Sequence, residues 1–79
     1  MRAKVEVFLK PGVLDVQGKA IEGALHGLGF SGVSGVRVGK TIEFEMPGAN
    51  RAKAESEVKA MCERLLANTV IEGYRLEVG

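Results

Sequence analysis

Between Val36 and Met46, in the run VRVGKTIEFEM, every apolar side chain holds an even number: Val36, Val38, Ile42, Phe44 and Met46. At its centre Gly39-Lys40 resembles the turn of a two-residue hairpin. Such a hairpin would set Val38 against Thr41 and Val36 against Glu43. Directly paired residues share one side of a sheet, so both faces would mix apolar and charged groups. A single strand keeps all five apolar residues on one face, because side chains alternate with period two. Lys40 is the one polar residue left on that face, and a bulge at Gly39 is the device that would turn it aside. A three-residue loop also keeps the parity, but it prefers glycine where Thr41 stands. The reading is one long, bent strand. At ~3.3 Å per residue its length comes to about 35 Å. The neighbouring strand-like runs are shorter, so part of it is expected to overrun its own sheet. The overhang would leave backbone donors and acceptors for a second copy of the chain.

The remaining elements follow from the same periodicities. Ala3, Val5, Val7 and Leu9 alternate with Lys4, Glu6, Phe8 and Lys10, which is a strand with one apolar face. Phe8 is the exception among the outward charges. It is either a stray surface aromatic or a contact on a face covered by another subunit. After the Pro11-Gly12 break, Asp15 is the expected N-cap of a helix. Val16, Ala20, Ile21, Ala24, Leu25 and Leu28 form its apolar stripe. Lys19, Glu22 and His26 lie off the stripe, on the solvated side, and Gly29 suits the left-handed residue that closes a helix. Gly18, Gly23 and Gly27 inside this helix cost ~1 kcal/mol each against alanine, and they suggest close packing against another backbone. A second helix is expected from about Asn50 to Ala67, with Ala54, Val58, Met61, Cys62 and Leu65 inward. Tyr74, Leu76 and Val78 mark a last strand. The order is β-α-β-α-β, an α+β chain forming one domain over residues 1–79.

Composition narrows the function. A chain of 79 residues with a single cysteine has no internal disulfide to support a small core, and one Cys with one His falls short of the usual ligand set of a zinc site. A partner is the remaining support. The net charge of +1 excludes attraction to a polyanion, so no nucleic acid is expected. The opening MRAKVEVFLK is neither a signal peptide nor a membrane span, which points to a cytoplasmic protein. GLGFSG matches a dinucleotide fingerprint as a string, but a helix precedes it and a strand follows, the reverse of what that motif requires. His26 reads as a solvated residue, Cys62 as an inert core thiol, and Glu43 and Glu45 as a solvated strand face rather than an acid/base pair. No catalytic residues, cofactor ligands or metal ligands emerge.

Taken together, KPGVLDVQGKAI, LGF, VRVGKTIEFEM and LLANTVIEGYRLEV resemble the PurS family, the small subunits of bacterial and archaeal phosphoribosylformylglycinamidine synthase. The resemblance covers nearly the whole chain, in order and at matching spacing. Where the family usually has prolines, this chain has Val16 after Asp15 and Thr69 after Asn68. The resemblance implies a small antiparallel sheet carrying two helices on one face, ferredoxin-like in layout, in dimers or dimers of dimers. It implies a non-catalytic subunit in purine biosynthesis. Its partners would be itself, a large ligase subunit and a glutaminase subunit, and those two would use ATP, Mg and glutamine. The alternative is a stand-alone ferredoxin-like module binding a small molecule in a polar pocket around Asp15 and Lys40. The candidate interface residues are Phe8, Lys10, Pro11, Gly12, Asp15, Arg37, Lys40, Thr41 and Glu43. For the Lys10–Asp15 turn the plainer reading is that it only shapes the helix entry. For Arg37 and Lys40 it is a solvated pair of charges.

Overall fold

The computed structural model describes all residues 1–79. Strand β1 (Arg2–Leu9) lies at the centre of a three-stranded sheet. It is flanked by β2 (Gly39–Glu45) and β3 (Glu72–Val78), both antiparallel to it. The register builds rows across the sheet. Ala3 pairs with Phe44 and Val78, Val5 with Ile42 and Leu76, and Val7 with Lys40 and Tyr74. One face is therefore apolar along almost its whole length, as the alternation requires. Helix α2 (Arg51–Met61), capped by the Asn50 side chain, covers this face with Ala54 and Val58, and Cys62 continues the row beyond its end. Val5, Val58 and Cys62 are fully buried. The other face carries Arg2, Lys4, Glu6 and Phe8 between glutamates and Arg75, with cross-strand pairs Arg2–Glu45 at 2.7 Å and Arg75–Glu6 at 3.1 Å.

Gly39-Lys40 is no hairpin turn, and β2 is a single strand, but it has 7 residues rather than the eleven expected and is no longer than β1, with 8, or β3, with 7. The expected bulge is absent, since Phe8–Gly39 and Val7–Lys40 stay in regular register. Gly39 serves close approach instead, because a Cβ there would stand 2.7 Å from the Val7 carbonyl oxygen. Lys40 thus keeps its place in the apolar row, at an exposed end. Met1 and Met46 exchange both backbone bonds, so the even-numbered amides of β2 face β1. The odd-numbered ones, at Gly39, Thr41, Glu43 and Glu45, turn to the free edge. The ladder begins only at Gly39; Val36–Val38 runs past the end of β1 as an arm.

Helix α1 (Val16–Gly27) follows its predicted signals at both ends. The Asp15 side chain accepts from Gly18 N–H. Gly29, at φ +98°, closes the helix, with Phe30 N–H bonding Leu25 O and Gly29 N–H bonding His26 O. Its apolar stripe does not join the core. Val16 is 72% exposed and Leu28 73%, and no α1 residue belongs to the buried cluster. Only α2 lies on the sheet face; α1 leans on the arm and stretches the molecule to 49 Å against a thickness of 14 Å. Gly18, the one buried residue of α1, lies where a Cβ would run into the Val36 carbonyl. Gly23 and Gly27 meet no other backbone within the chain.

Beyond α2 the helix widens into a π turn, Cys62–Leu66, closed by Ala67 N–H on Cys62 O at 3.1 Å. The wider turn changes which side chain faces inward. Leu65, expected in the core, is 82% exposed, while Leu66 packs against the cluster. No helix is long and apolar enough to cross a membrane.

Candidate functional site

The turn after β1, the first residues of α1 and the arm meet at one end of the sheet. Three polar side chains tie them together. Asp15 is buried, and its two oxygens serve different elements: Oδ1 accepts from Gly18 N–H and Oδ2 from Val38 N–H, both at 2.7 Å. The Val38 bond, then that of Gly18, holds the Asp15 carboxyl below the ordinary carboxylate range. Two turns along the helix, Glu22 Oε1 accepts from Val36 N–H at 3.2 Å. That bond, with Lys19 Nζ at 3.9 Å adding to it, lowers the Glu22 carboxyl as well. Arg37 reaches back to the first turn, its guanidinium donating to Val13 O at 2.9 Å and Lys10 O at 3.1 Å.

The structure brings Lys10, Pro11, Gly12, Asp15, Arg37 and Lys40 to this end. Lys10 also donates from Nζ to Thr69 O at 2.6 Å, fastening the turn to the segment before β3. Arg37 is not a freely solvated charge, since it grips carbonyls of its own chain. Lys40 makes no ion pair and lines a cleft of about 250 Å³ with Val7, Asp15, Gln17 and Glu72. Phe8 lies on the opposite, charged face. Its ring covers Gly73, where a Cβ would stand 2.8 Å from Cε2, and the Arg75 guanidinium sits 4.9 Å from the ring centroid. Thr41 and Glu43 lie along the free edge of β2, apart from the cluster.

Glu22 was not among the sequence candidates. Its charge placed it on the solvated side of α1, yet its side chain is only 17% exposed. Asp15, Gly18, Glu22 and Leu25 are spaced three, four and three residues apart, so they share one helix face. A glycine between two acids on one face was the available signal. His26 Nε2 lies 2.7 Å from Val33 O and braces the loop after α1. Cys62 is a buried free thiol whose pKa burial pushes up. No three His, Cys, Asp or Glu side chains are placed to hold a metal ion.

Polar side chains bound to the chain's own backbone, an apolar helix face left open and a three-stranded antiparallel sheet under one helix define a small α+β module. Residues 2–79 match the family described as PurS, phosphoribosylformylglycinamidine (FGAM) synthase. The PurS subunit of Bacillus subtilis is 49% identical over 77 residues, covering 98% of this chain and 90% of that one. The PurS subunit of Synechocystis is 45% identical over 75 residues, covering 95% and 75%. Among solved structures, Bacillus subtilis PurS superposes with a TM-score of 0.88 over 99% of this chain and 96% of its own, at 49% identity. A chain of the PurLQS structure from Thermotoga maritima does so with a TM-score of 0.87 over 96% and 93%, at 34% identity. This chain belongs to the PurS family.

Proposed function

We propose that this chain is the small, non-catalytic subunit of a phosphoribosylformylglycinamidine synthase in purine biosynthesis, needed for a ligase subunit and a glutaminase subunit to assemble. The observation that carries the reading is the near-complete superposition on a chain of the Thermotoga maritima PurLQS structure. The geometry agrees with it, because the chain leaves the stripe of α1 and the edge of β2 open to partners. ATP, Mg and glutamine are used by the other two subunits, in the cytoplasm. The chain also pairs with itself, as a dimer at minimum. The free edge of β2 and the uncovered stripe of α1 are the surfaces a second copy would cover. Phe8, Thr41 and Glu43, with the Lys10–Asp15 turn, Arg37 and Lys40, are the candidate contacts.

A small-molecule sensor would use the cleft between Asp15 and Lys40. At about 250 Å³ that cleft falls short of the roughly 300–1,000 Å³ of ordinary ligand pockets. Both oxygens of Asp15 are already engaged. The test is a pull-down with the tagged chain from native extract. A ligase and a glutaminase should co-purify, and glutamine-dependent synthesis should need all three chains. A bound metabolite without those partners, or glutamine turnover by this chain alone, overturns the proposal.

A further inference from the structure

We infer that Asp15 and Glu22 are positioning residues for self-association, acting from α1 as the missing neighbour of the strand overhang. The amides of Val36 and Val38, two residues apart, turn to the same side as the even-numbered amides of β2. Along β2 that side is filled by β1. Beyond Leu9 there is no strand left to fill it, and the two carboxylates take over, Asp15 on Val38 and Glu22 on Val36. Gly18, between them on the same helix face, admits the Val36 carbonyl. Arg37 ties the arm to the turn between β1 and α1 through Lys10 O and Val13 O.

Two consequences follow for a second copy. The inner side of the arm is closed to it, because its donors are already taken. The outer edge is held in line with β2, so that Arg37, Gly39, Thr41, Glu43 and Glu45 present one continuous run of outward backbone groups. Helix α1 is bolted to the same segment, so its exposed stripe is held in a fixed relation to the arm. Without the two carboxylates, arm and helix would move independently, and the pairing surface would have to be ordered at the moment of association.

The inference rests on the self-association proposed above, and the experiment separates the two. Glu22→Ala removes the acceptor for Val36, whereas Glu22→Gln keeps an amide oxygen there. Asp15→Asn keeps a good N-cap but leaves one acceptor where two amides need one each. Hydrogen exchange of the full chain reads the latch, and sedimentation equilibrium reads the association. Glu22→Ala and Asp15→Asn should speed exchange at Val36 or Val38 and leave Ile42 and Phe44 unchanged. They should also raise the dissociation constant roughly tenfold or more, the order expected for a lost charge-assisted hydrogen bond. Glu22→Gln should restore most of both effects. A wild-type chain that stays monomeric overturns the self-association and the inference with it. A dimer whose dissociation constant ignores these variants, while the arm amides are released, overturns the inference alone.

Discussion

Gly18→Ala and Gly23→Ala place the same methyl group on one helix with opposite expected results. Each replacement gains the helix propensity of alanine, ~1 kcal/mol over glycine in a helix interior. At Gly23 nothing lies within 4 Å of the new Cβ, so the gain stands uncorrected. At Gly18 the Cβ meets the Val36 carbonyl, and stands 2.9 Å from both Asp15 Cγ and Oδ2. The carbonyl is backbone and cannot rotate away, so the arm must shift and its bonds to Asp15 and Glu22 lengthen. Overpacking of this kind costs about 1–3 kcal/mol. Propensity cancels between the two variants, which leaves that steric cost as their difference. For a domain of this size it corresponds to a gap of roughly 4–24 °C in Tm if α1 melts with the rest. Since α1 does not pack on the sheet, it can also come loose alone. It supplies 12 helical residues and α2 supplies 11, so about half the α-helical circular dichroism would then be lost ahead of the main transition. The assay is thermal melting by circular dichroism at several low concentrations, with hydrogen exchange at Val36 and Val38. If the two variants agree within about 0.5 kcal/mol, the close approach at Gly18 is not energetically real. If Gly23→Ala instead destabilises, and does so more as concentration rises, another backbone packs on that face in the oligomer.

Three further outcomes are expected. Thr41→Pro should weaken self-association, read by sedimentation, while the monomer keeps its sheet, because the amide it removes faces the free edge; Lys59→Ala on α2 is the control, and equal constants for the two would exclude that edge. The Asp15 and Glu22 carboxyls are lowered in the fold, so their stabilisation is complete above the ordinary carboxylate range near about pH 4 and is lost as pH falls through their depressed folded values. Arg37 faces Asp15, and Lys19 and His26 face Glu22, so high salt should move that loss upward in pH; exchange at Val36 and Val38 that ignores acid would contradict it. Val58→Ala deletes two buried methyl groups from a fully buried site, at about 0.8 kcal/mol each plus a cavity term, for a total of roughly 2–3 kcal/mol by urea unfolding.

What the sequence disclosed divides along a physical line. Strand faces, helix caps and the rejection of a hairpin at Gly39-Lys40 were legible because they depend on local periodicity and on single residues such as Asp15 and Gly29. The stripe of α1 was legible as a surface needing cover, but periodicity does not say which chain supplies the cover, and here the same chain does not. Glu22 was misplaced because a charged residue off an apolar stripe ordinarily meets water; the amide it binds lies 14 residues away. Leu65 was misplaced because a π turn adds a residue to a helix without altering the pattern before it. Lys40 stayed in the apolar row because that row ends in the open, where a long cationic side chain needs no bulge to reach solvent. In the candidate site, the gathering of Lys10, Asp15 and Arg37 depends on the arm's path, which no spacing in the sequence fixes.

The central position of β1 has a consequence for how the chain is made. β1 is translated before both strands that will flank it. The Arg2–Glu45 contact closes 43 residues of chain, and the Glu6–Arg75 contact closes 69. At roughly 5–20 residues per second, β1 waits on the order of 3–14 s for its last partner, with one of its hydrogen-bonding edges still unpaired. The bonds from α1 to the arm close shorter loops, of 14 and 23 residues, and can form while β3 is still unmade. The surface proposed for a second copy therefore closes over shorter stretches of chain than the sheet beside it.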